Sequence, residues 1–225
     1  MYLLLFFVEF VLLFLLSKFL TQSLSRLFHK ITRSEKLTIY LLFLLFFPGI
    51  LIHELSHLFM AGFLFVRTGQ MVLFPKIMED GIRLGSVEVE KTDPFRRAII
   101  GVAPVLFGLA LIFGILFYIQ PLAQKNLGVY IFLLYIIFAI GNTLFSSKKD
   151  LEGTVEFIFA SLFLLIALLI LKREIVQVIF QILQKPEIVN FFKTTDLFLL
   201  APILINLAVF LIAGLLTGKR SWLGN

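Results

Sequence analysis

The stretch His53-Glu54-Leu55-Ser56-His57 decides how this chain is interpreted, because it places two histidines and a glutamate inside the apolar run from Leu37 to Val66. The run is long enough to cross a bilayer as a helix. On a helix, residues four positions apart share one face, so His53 and His57 can both reach one metal ion. Glu54 then lies beside that ion, where it can accept a proton instead of acting as a ligand.

The membrane setting strengthens the metal-site interpretation. A charged group at the centre of a membrane helix costs roughly 2.5–3.5 kcal/mol on insertion scales, whereas a structural zinc site returns about 10–16 kcal/mol. Two of the three histidines in the chain belong to this motif. The alternative is a buried polar cluster that only packs against neighbouring helices, and the metal content of the purified protein separates the two.

Composition favours a membrane protein. The chain has 225 residues, of which 60% are hydrophobic and 15% charged, whereas soluble domains carry about 25% charged residues. We therefore predict an all-α polytopic membrane protein that forms a single membrane-embedded domain over residues 1–225. Its basic residues are scattered between the apolar runs, which argues against nucleic-acid binding. The absence of cysteine excludes disulfides, cysteine-ligated zinc and thiol catalysis.

About six transmembrane helices are predicted from the apolar runs. They cover residues 1–20, 37–66, 98–119, 128–145, 154–171 and 197–216, and an amphipathic helix is expected over residues 172–185. Residues 1–36 are then a first span and a basic loop, residues 37–153 a catalytic core, and residues 154–225 the C-terminal spans. Lysine and arginine divide evenly between the two sides of this topology, so charge does not orient it.

A small β-hairpin is predicted after the second span, in the polar segment 67–97. Met71 to Pro75 and Leu84 to Glu90 have strand character, and Glu79-Asp80-Gly81 supplies turn residues between them. We expect the hairpin to lie at the membrane surface or to dip into it. It is either a plain connector or a strand edge that pairs with an extended peptide, which is the usual way to present a backbone for cleavage.

A third metal ligand is expected after the fourth span. Spans two and four run in the same direction, so the end of span four should lie at the membrane face that carries the motif. Two carboxylates, Asp150 and Glu152, follow that span. A catalytic zinc takes three protein ligands and keeps one position open for water, so a carboxylate from this segment can complete the set.

Four features together resemble the site-2 protease-type intramembrane zinc metalloproteases. They are HELSH within a span, the hairpin segment that follows, Gly101-Val102-Ala103-Pro104 in the next span, and Asn142 eight residues before Asp150. The resemblance covers roughly residues 37–153. The family typically shows Asn, two residues, Pro, then Leu-Asp-Gly. In this chain Phe145 replaces the proline, and Asp150-Leu151-Glu152-Gly153 replaces Leu-Asp-Gly.

The resemblance implies a zinc-dependent intramembrane endopeptidase of the cell membrane, with its site and both termini facing the cytosol. His53, His57 and Asp150 would hold the zinc. The spacing from Asn142 favours Asp150, which we prefer, whereas the Leu-x-Gly context favours Glu152 as the alternative ligand. Glu54 would act as general base for a zinc-activated water, and Asn142 would hold the substrate strand.

Two function classes therefore remain open. In the first, the substrates are membrane-anchored proteins whose helix unwinds near the site. In the second, the protein is a catalytically inactive membrane scaffold or metal-binding protein that retains the protease fold. Glu54 argues against the second class, because metal retention alone needs only the ligands.

Overall fold

The computed structural model describes residues 2–78, 81–123, 126–144, 162 and 173–217. The helices within these ranges are α1 (Tyr2–Thr32), α2 (Glu35–Phe63), α3 (Pro94–Ala123), α4 (Leu127–Thr143), α5 (Arg173–Leu183) and α6 (Pro186–Thr217). The strands are β1 (Thr68–Val72), β2 (Lys76–Met78), β3 (Gly81–Arg83) and β4 (Ser86–Val89). Apart from Leu162, the predicted fifth span lies outside the described residues.

Four of the described helices are long and apolar enough to cross a membrane: α1, α2, most of α6 and the Pro94–Ile115 part of α3. Helix α4 is also apolar but has 17 residues. Large apolar side chains lie on the outer surface, where Leu44, Phe63 and Leu215 are 67%, 79% and 83% exposed. Exposed apolar surface of this extent suits lipid contact. The predicted all-α membrane fold with a small hairpin is confirmed.

The first helix extends well beyond its predicted end at Leu20. The expected polar connection is helical as far as Thr32, so His29 lies exposed on a helix instead of in a loop. The added segment holds neither glycine nor proline, so nothing in it interrupts a helix. The chain reverses at Arg33, whose φ of 53° is left-handed, and at Ser34, whose hydroxyl caps α2 by accepting from the Leu37 N–H.

Helices α2 and α4 lie parallel and close together, as predicted. The Phe46 and Phe138 rings stack with 5.8 Å between their centroids, and Gly49, three residues after Phe46, lies against Ala139, the residue after Phe138. A Cβ at Gly49 would collide with the Ala139 carbonyl group. The glycine therefore permits a close approach of the two backbones, which brings the end of α4 to the motif.

Pro48 lies inside α2 without ending the helix. Because proline has no N–H, the Leu44 carbonyl loses its usual donor four residues later. The hydroxyl of Tyr135, from α4, lies 3.5 Å from the Leu44 carbonyl oxygen and 3.1 Å from that of Leu45, to which it donates. A side chain of α4 thus supplies a hydrogen-bond donor at the turn of α2 where Pro48 removes one.

Helices α1 and α6 also lie parallel, which corrects the expected topology. The Phe6 and Phe192 rings are 5.8 Å apart, and the Phe19 and Phe210 rings are 6.4 Å apart, so partner numbers rise together along both helices. Six alternating spans would make the first and last antiparallel and bring both termini to one side. The structure instead places the N-terminal ends of α1 and α6 together, at the end of the bundle where α2 leads into the hairpin. Apolar runs alone do not determine how often the intervening chain crosses, so they could not predict this direction.

The hairpin after α2 is built in two parts. Strand β1 pairs with β4, and β2 pairs with β3, both in antiparallel fashion. Met78 lies opposite Gly81, so the chain reverses at the predicted position. The turn residues Glu79 and Asp80 lie outside the described residues.

The hairpin extends into the helix bundle alongside α2. The Phe74 ring lies 6.0 Å from the Phe43 ring, and Leu84 packs against the apolar cluster that contains Phe43 and Phe46. Phe43 precedes His53 by ten residues, which corresponds to about 15 Å along a helix. The hairpin therefore packs along α2, and its position relative to the membrane surface stays a prediction.

The start of α3 is fixed by a cap and by the base of the hairpin. Asp93 Oδ1 accepts from the Arg96 N–H at 3.0 Å, and this bond is the main reason why the pKa of Asp93 lies below its usual range. Ala61, Val66 and Ile100 form a buried cluster that joins the end of α2 to α3. These contacts place the first turns of α3 beside the motif.

Candidate metal centre

The two motif histidines face each other in the second half of α2. The Nε2 atoms of His53 and His57 are 3.2 Å apart, and the ring planes are inclined at 80° with 4.9 Å between centroids. His57 is buried and His53 is half-buried. The structure therefore brings together the two histidines that the spacing of the motif predicts.

Each ring is held at its other nitrogen by a main-chain carbonyl of a neighbouring helix. His53 Nδ1 lies 2.6 Å from the Thr143 carbonyl oxygen of α4, and His57 Nδ1 lies 2.8 Å from the Ile100 carbonyl oxygen of α3. A carbonyl oxygen only accepts hydrogen bonds, so both Nδ1 atoms carry protons. In neutral rings both Nε2 atoms then present lone pairs, which is the tautomer that a metal-binding histidine needs.

Both carbonyls are available because the helices lack a donor for them. The Ile100 carbonyl would normally accept from the N–H of residue 104, but that residue is Pro104. Thr143 is the last residue of α4, and the last four carbonyls of a helix have no partner within it. Pro104 thus frees the acceptor that orients His57.

The distance between the two Nε2 atoms fits a shared zinc ion. Two lone pairs that face each other repel unless a cation lies between them. Nitrogen ligands about 2.0–2.1 Å from one zinc, at tetrahedral angles, are about 3.3 Å apart. The observed 3.2 Å agrees with that geometry. A proton can also bridge two nitrogen atoms, and metal content distinguishes these two cases.

Glu54 is buried next to the histidine pair, with 7% of its surface exposed. It follows His53 directly, so it lies beside the face shared by the histidines and not on it. A Cβ placed on Gly85, the residue before β4, would be 2.9 Å from Glu54 Oε1 and 2.9 Å from Ile50 Cγ2. The carboxyl group is therefore packed between α2 and the hairpin.

The predicted third ligand cannot be located. In the part of the chain that the structure describes, no group of three or more His, Asp or Glu side chains is arranged to hold a metal ion. Asp150 and the alternative Glu152 both lie outside the described residues. The last residue of α4, Thr143, contacts His53 and precedes Asp150 by seven residues. A carboxylate ligand from this segment stays a prediction.

Asn142 contacts α1 and α6. Its Nδ2 donates to the Phe138 carbonyl at 2.8 Å and to Asn206 Oδ1 of α6 at 2.7 Å. Ser17 of α1 donates to the Asn142 carbonyl at 3.1 Å. Asn142 Oδ1 is buried and has no hydrogen-bond partner among the described residues. Asn142 thus joins α4 to α6 through its side chain and α4 to α1 through its main-chain carbonyl, and its substrate-binding role stays a prediction.

Three contributors to the site were not predicted. Ile100 and Thr143 act through their main-chain carbonyls, and the identity of a residue does not show how its carbonyl is used. For Ile100 the sequence does contain one signal, because Pro104 has no N–H to donate to that carbonyl. Gly85 contributes by having no side chain, and a lone glycine before a strand does not predict contact with Glu54.

The described site thus combines two histidines in the metal-binding tautomer, an adjacent buried carboxyl group and a hairpin packed against that group. No protein-family model, curated protein or solved structure matches this chain.

Proposed function

We propose that the protein is an intramembrane zinc-dependent endopeptidase that cleaves membrane-anchored protein substrates. The observation that carries the proposal is the 3.2 Å separation of the His53 and His57 Nε2 atoms, with both Nδ1 protons engaged by carbonyls. The resemblance of the motifs to the site-2 protease-type family supports it from the sequence. Zinc would supply Lewis acidity, polarising a carbonyl and lowering the pKa of a water molecule to about 7.

Each residue of the motif then has a role. His53 and His57 would hold the metal, together with Asp150 or, as the alternative, Glu152. Glu54 accepts the proton of the attacking water and returns it to the leaving amine. The Thr143 and Ile100 carbonyls keep the histidine rings in the required orientation. Asn142 would hold the substrate strand, as the resemblance to the family implies.

The hairpin supports binding of an extended peptide. Non-helical backbone at membrane depth is tolerated only where it is buried in protein or lines a water-filled cavity. Among the described strands, β1 and β4 form a sheet of two, so each presents one edge of unpaired backbone groups. An extended peptide can pair with such an edge. A helical substrate must unwind first, because its own hydrogen bonds shield its amides.

We further propose a multi-pass protein of the cell membrane whose site faces the cytosol. The resemblance to the site-2 protease-type family supports this orientation, because the site and the hairpin of that family face the cytosol. In intact cells, a cysteine at Gly81 should then resist a membrane-impermeant thiol reagent, and ready labelling from outside would invert the topology.

The test of the function is Glu54→Gln. The variant should keep its zinc and lose cleavage, because glutamine preserves shape but cannot take the proton. The probe is a pool of fluorogenic single-span peptides that differ in their central residues, and the matched control is Glu187→Gln at the exposed start of α6. Undiminished cleavage by Glu54→Gln would remove the mechanism.

The second candidate is the inactive scaffold or metal-binding protein. The observation that favours it is the packing of Gly85 against Glu54, which leaves the carboxyl group covered. On this alternative, the wild type holds zinc and cleaves none of the probe peptides.

A further inference from the structure

The loop between β3 and β4, residues Leu84 and Gly85, covers Glu54 on the hairpin side. A single carbon added to Gly85 would lie 2.9 Å from Glu54 Oε1 and 3.0 Å from Glu54 Cγ, closer than real Cβ contacts allow. The same carbon would lie 2.9 Å from Ile50 Cγ2, one helical turn before Glu54. The gap between the loop and α2 is therefore too narrow for a methyl group.

This closeness has a consequence for substrate access. A general base must come within about 2.6–3.2 Å of the group that it serves, directly or through one water. A peptide backbone is wider than a methyl group, so it cannot lie between Gly85 and Glu54 in the arrangement observed. One substrate strand can therefore pair with the hairpin edge and reach the Glu54 carboxyl group only after the loop of Leu84 and Gly85 has moved away from α2.

The contacts of the hairpin indicate which part moves. Its base is fixed, because Thr68 pairs with Val89, and Val89 packs on the buried cluster of Ala61, Val66 and Ile100. Leu84 and Gly85, in contrast, lie between β3 and β4 and belong to neither pair of strands. Leu84 is partly buried against the cluster around Phe46, and this apolar contact holds the loop against α2. The loop can therefore leave α2 while the base stays in place.

We infer that Leu84 and Gly85 form a lid that closes over Glu54, and that the structure is the closed, substrate-excluding form. The inference rests on the proposed function, since it concerns access to the same carboxyl group. Leu84 is the apolar contact that holds the lid shut. Gly85 is the position at which the lid touches α2. An extended substrate strand displaces the lid and takes its place beside Glu54.

The chain contains no cysteine, so a disulfide can lock the lid reversibly. In the double variant Ile50→Cys/Gly85→Cys, truncation of Ile50 removes one of the side chains that a Cβ at Gly85 would meet, and the Glu54 carboxylate, at the end of a flexible side chain, shifts to admit the new atom. The two Cβ atoms then come near the roughly 3.5–4.5 Å that a disulfide needs, because the Gly85 Cβ position is 2.9 Å from the present Ile50 Cγ2. Oxidation should abolish cleavage of the fluorogenic peptides, and a reductant should restore it. Each single-cysteine variant, compared with its own untreated rate, should not respond to the oxidant.

Leu84→Ala provides a second measurement that does not depend on a disulfide. Loss of its apolar contact should loosen the lid, lower KM and raise kcat/KM. A purely structural role for Leu84 would instead lower kcat/KM. An oxidised, fully cross-linked double variant that cleaves like its reduced form would overturn the lid and leave the protease intact. A fall in kcat/KM for Leu84→Ala would also overturn it. A wild type without zinc-dependent cleavage would remove the proposed function, and the lid with it.

Discussion

Replacing Pro104 with alanine tests how the histidine pair acquires its orientation. The new N–H lies where it can donate to the Ile100 carbonyl, which straightens α3 and draws that carbonyl back towards the helix axis. His57 Nδ1 then loses the acceptor that lies 2.8 Å away. Loss of such an outer partner typically weakens metal binding by about 10–100-fold, which corresponds to about 1.4–2.7 kcal/mol. We expect a decrease of this size in zinc affinity.

Pro104→Ala should lower the zinc affinity without lowering the stability of the metal-free protein. Proline in a helix interior is about 3 kcal/mol less favourable than alanine. Pro104 is fully buried, so the variant also leaves a void of two carbons, at about 1 kcal/mol for each methyl-sized gap. The two effects leave the metal-free variant at least as stable as the wild type. A weaker zinc site in an equally stable protein separates lost orientation from misfolding.

The assay is a competition titration with a chromophoric zinc chelator in detergent, followed by thermal unfolding in excess chelator. Pro202→Ala is the matched control, because Pro202 is likewise fully buried within a helix, but in α6. Wild-type zinc affinity for Pro104→Ala would refute the role of the freed carbonyl. An equal loss of affinity in Pro202→Ala would show that any buried proline has the same effect.

Three further predictions concern packing, ligation and pH. Gly49→Ala should destabilise the fold by about 1–3 kcal/mol, because its Cβ meets the α4 backbone, whereas Gly62→Ala on the same helix meets nothing within 4 Å and should be harmless in thermal unfolding. Asp150→Ala should lose zinc and cleavage while Glu152→Ala keeps most of both, and the opposite result in metal analysis would exchange the two assignments. Because the pKa of Asp93 is lowered in the folded state, its cap contributes stability above the unfolded pKa of about 3.9 and loses it as the pH falls through the folded value. The difference in Tm between wild type and Asp93→Ala should therefore be present at neutral pH and vanish in strong acid, and a difference that persists in acid would show that the carboxylate charge is not its source.

Local patterns in the sequence predict much of the fold. Apolar runs indicate the membrane helices, and the residues around Gly81 indicate the hairpin turn, because both depend on neighbours in the chain. The spacing of His53 and His57 predicts their shared face for the same reason. The end of α1 was placed too early, because a polar segment without glycine or proline continues a helix as readily as it forms a loop.

Features that depend on distant residues could not be predicted. Asn142 bonds to Asn206, 64 residues away, and no local pattern connects them. The direction of α6 depends on the course of the preceding chain. Gly85 touches Glu54 only because the hairpin folds back along α2. The role of the Ile100 carbonyl could be predicted in part. The absent N–H of Pro104 shows that this acceptor is free, but it does not show which side chain donates to it.

The zinc content of the purified protein tests the central claim most directly. Metal analysis by mass spectrometry should find about one zinc per chain in the wild type and in Glu54→Gln, and almost none in His53→Ala. His29→Ala is the matched control, because His29 lies exposed on α1 and should leave the zinc in place. Full zinc occupancy in His53→Ala, or a wild type that takes up no zinc from zinc-replete medium, would contradict the account.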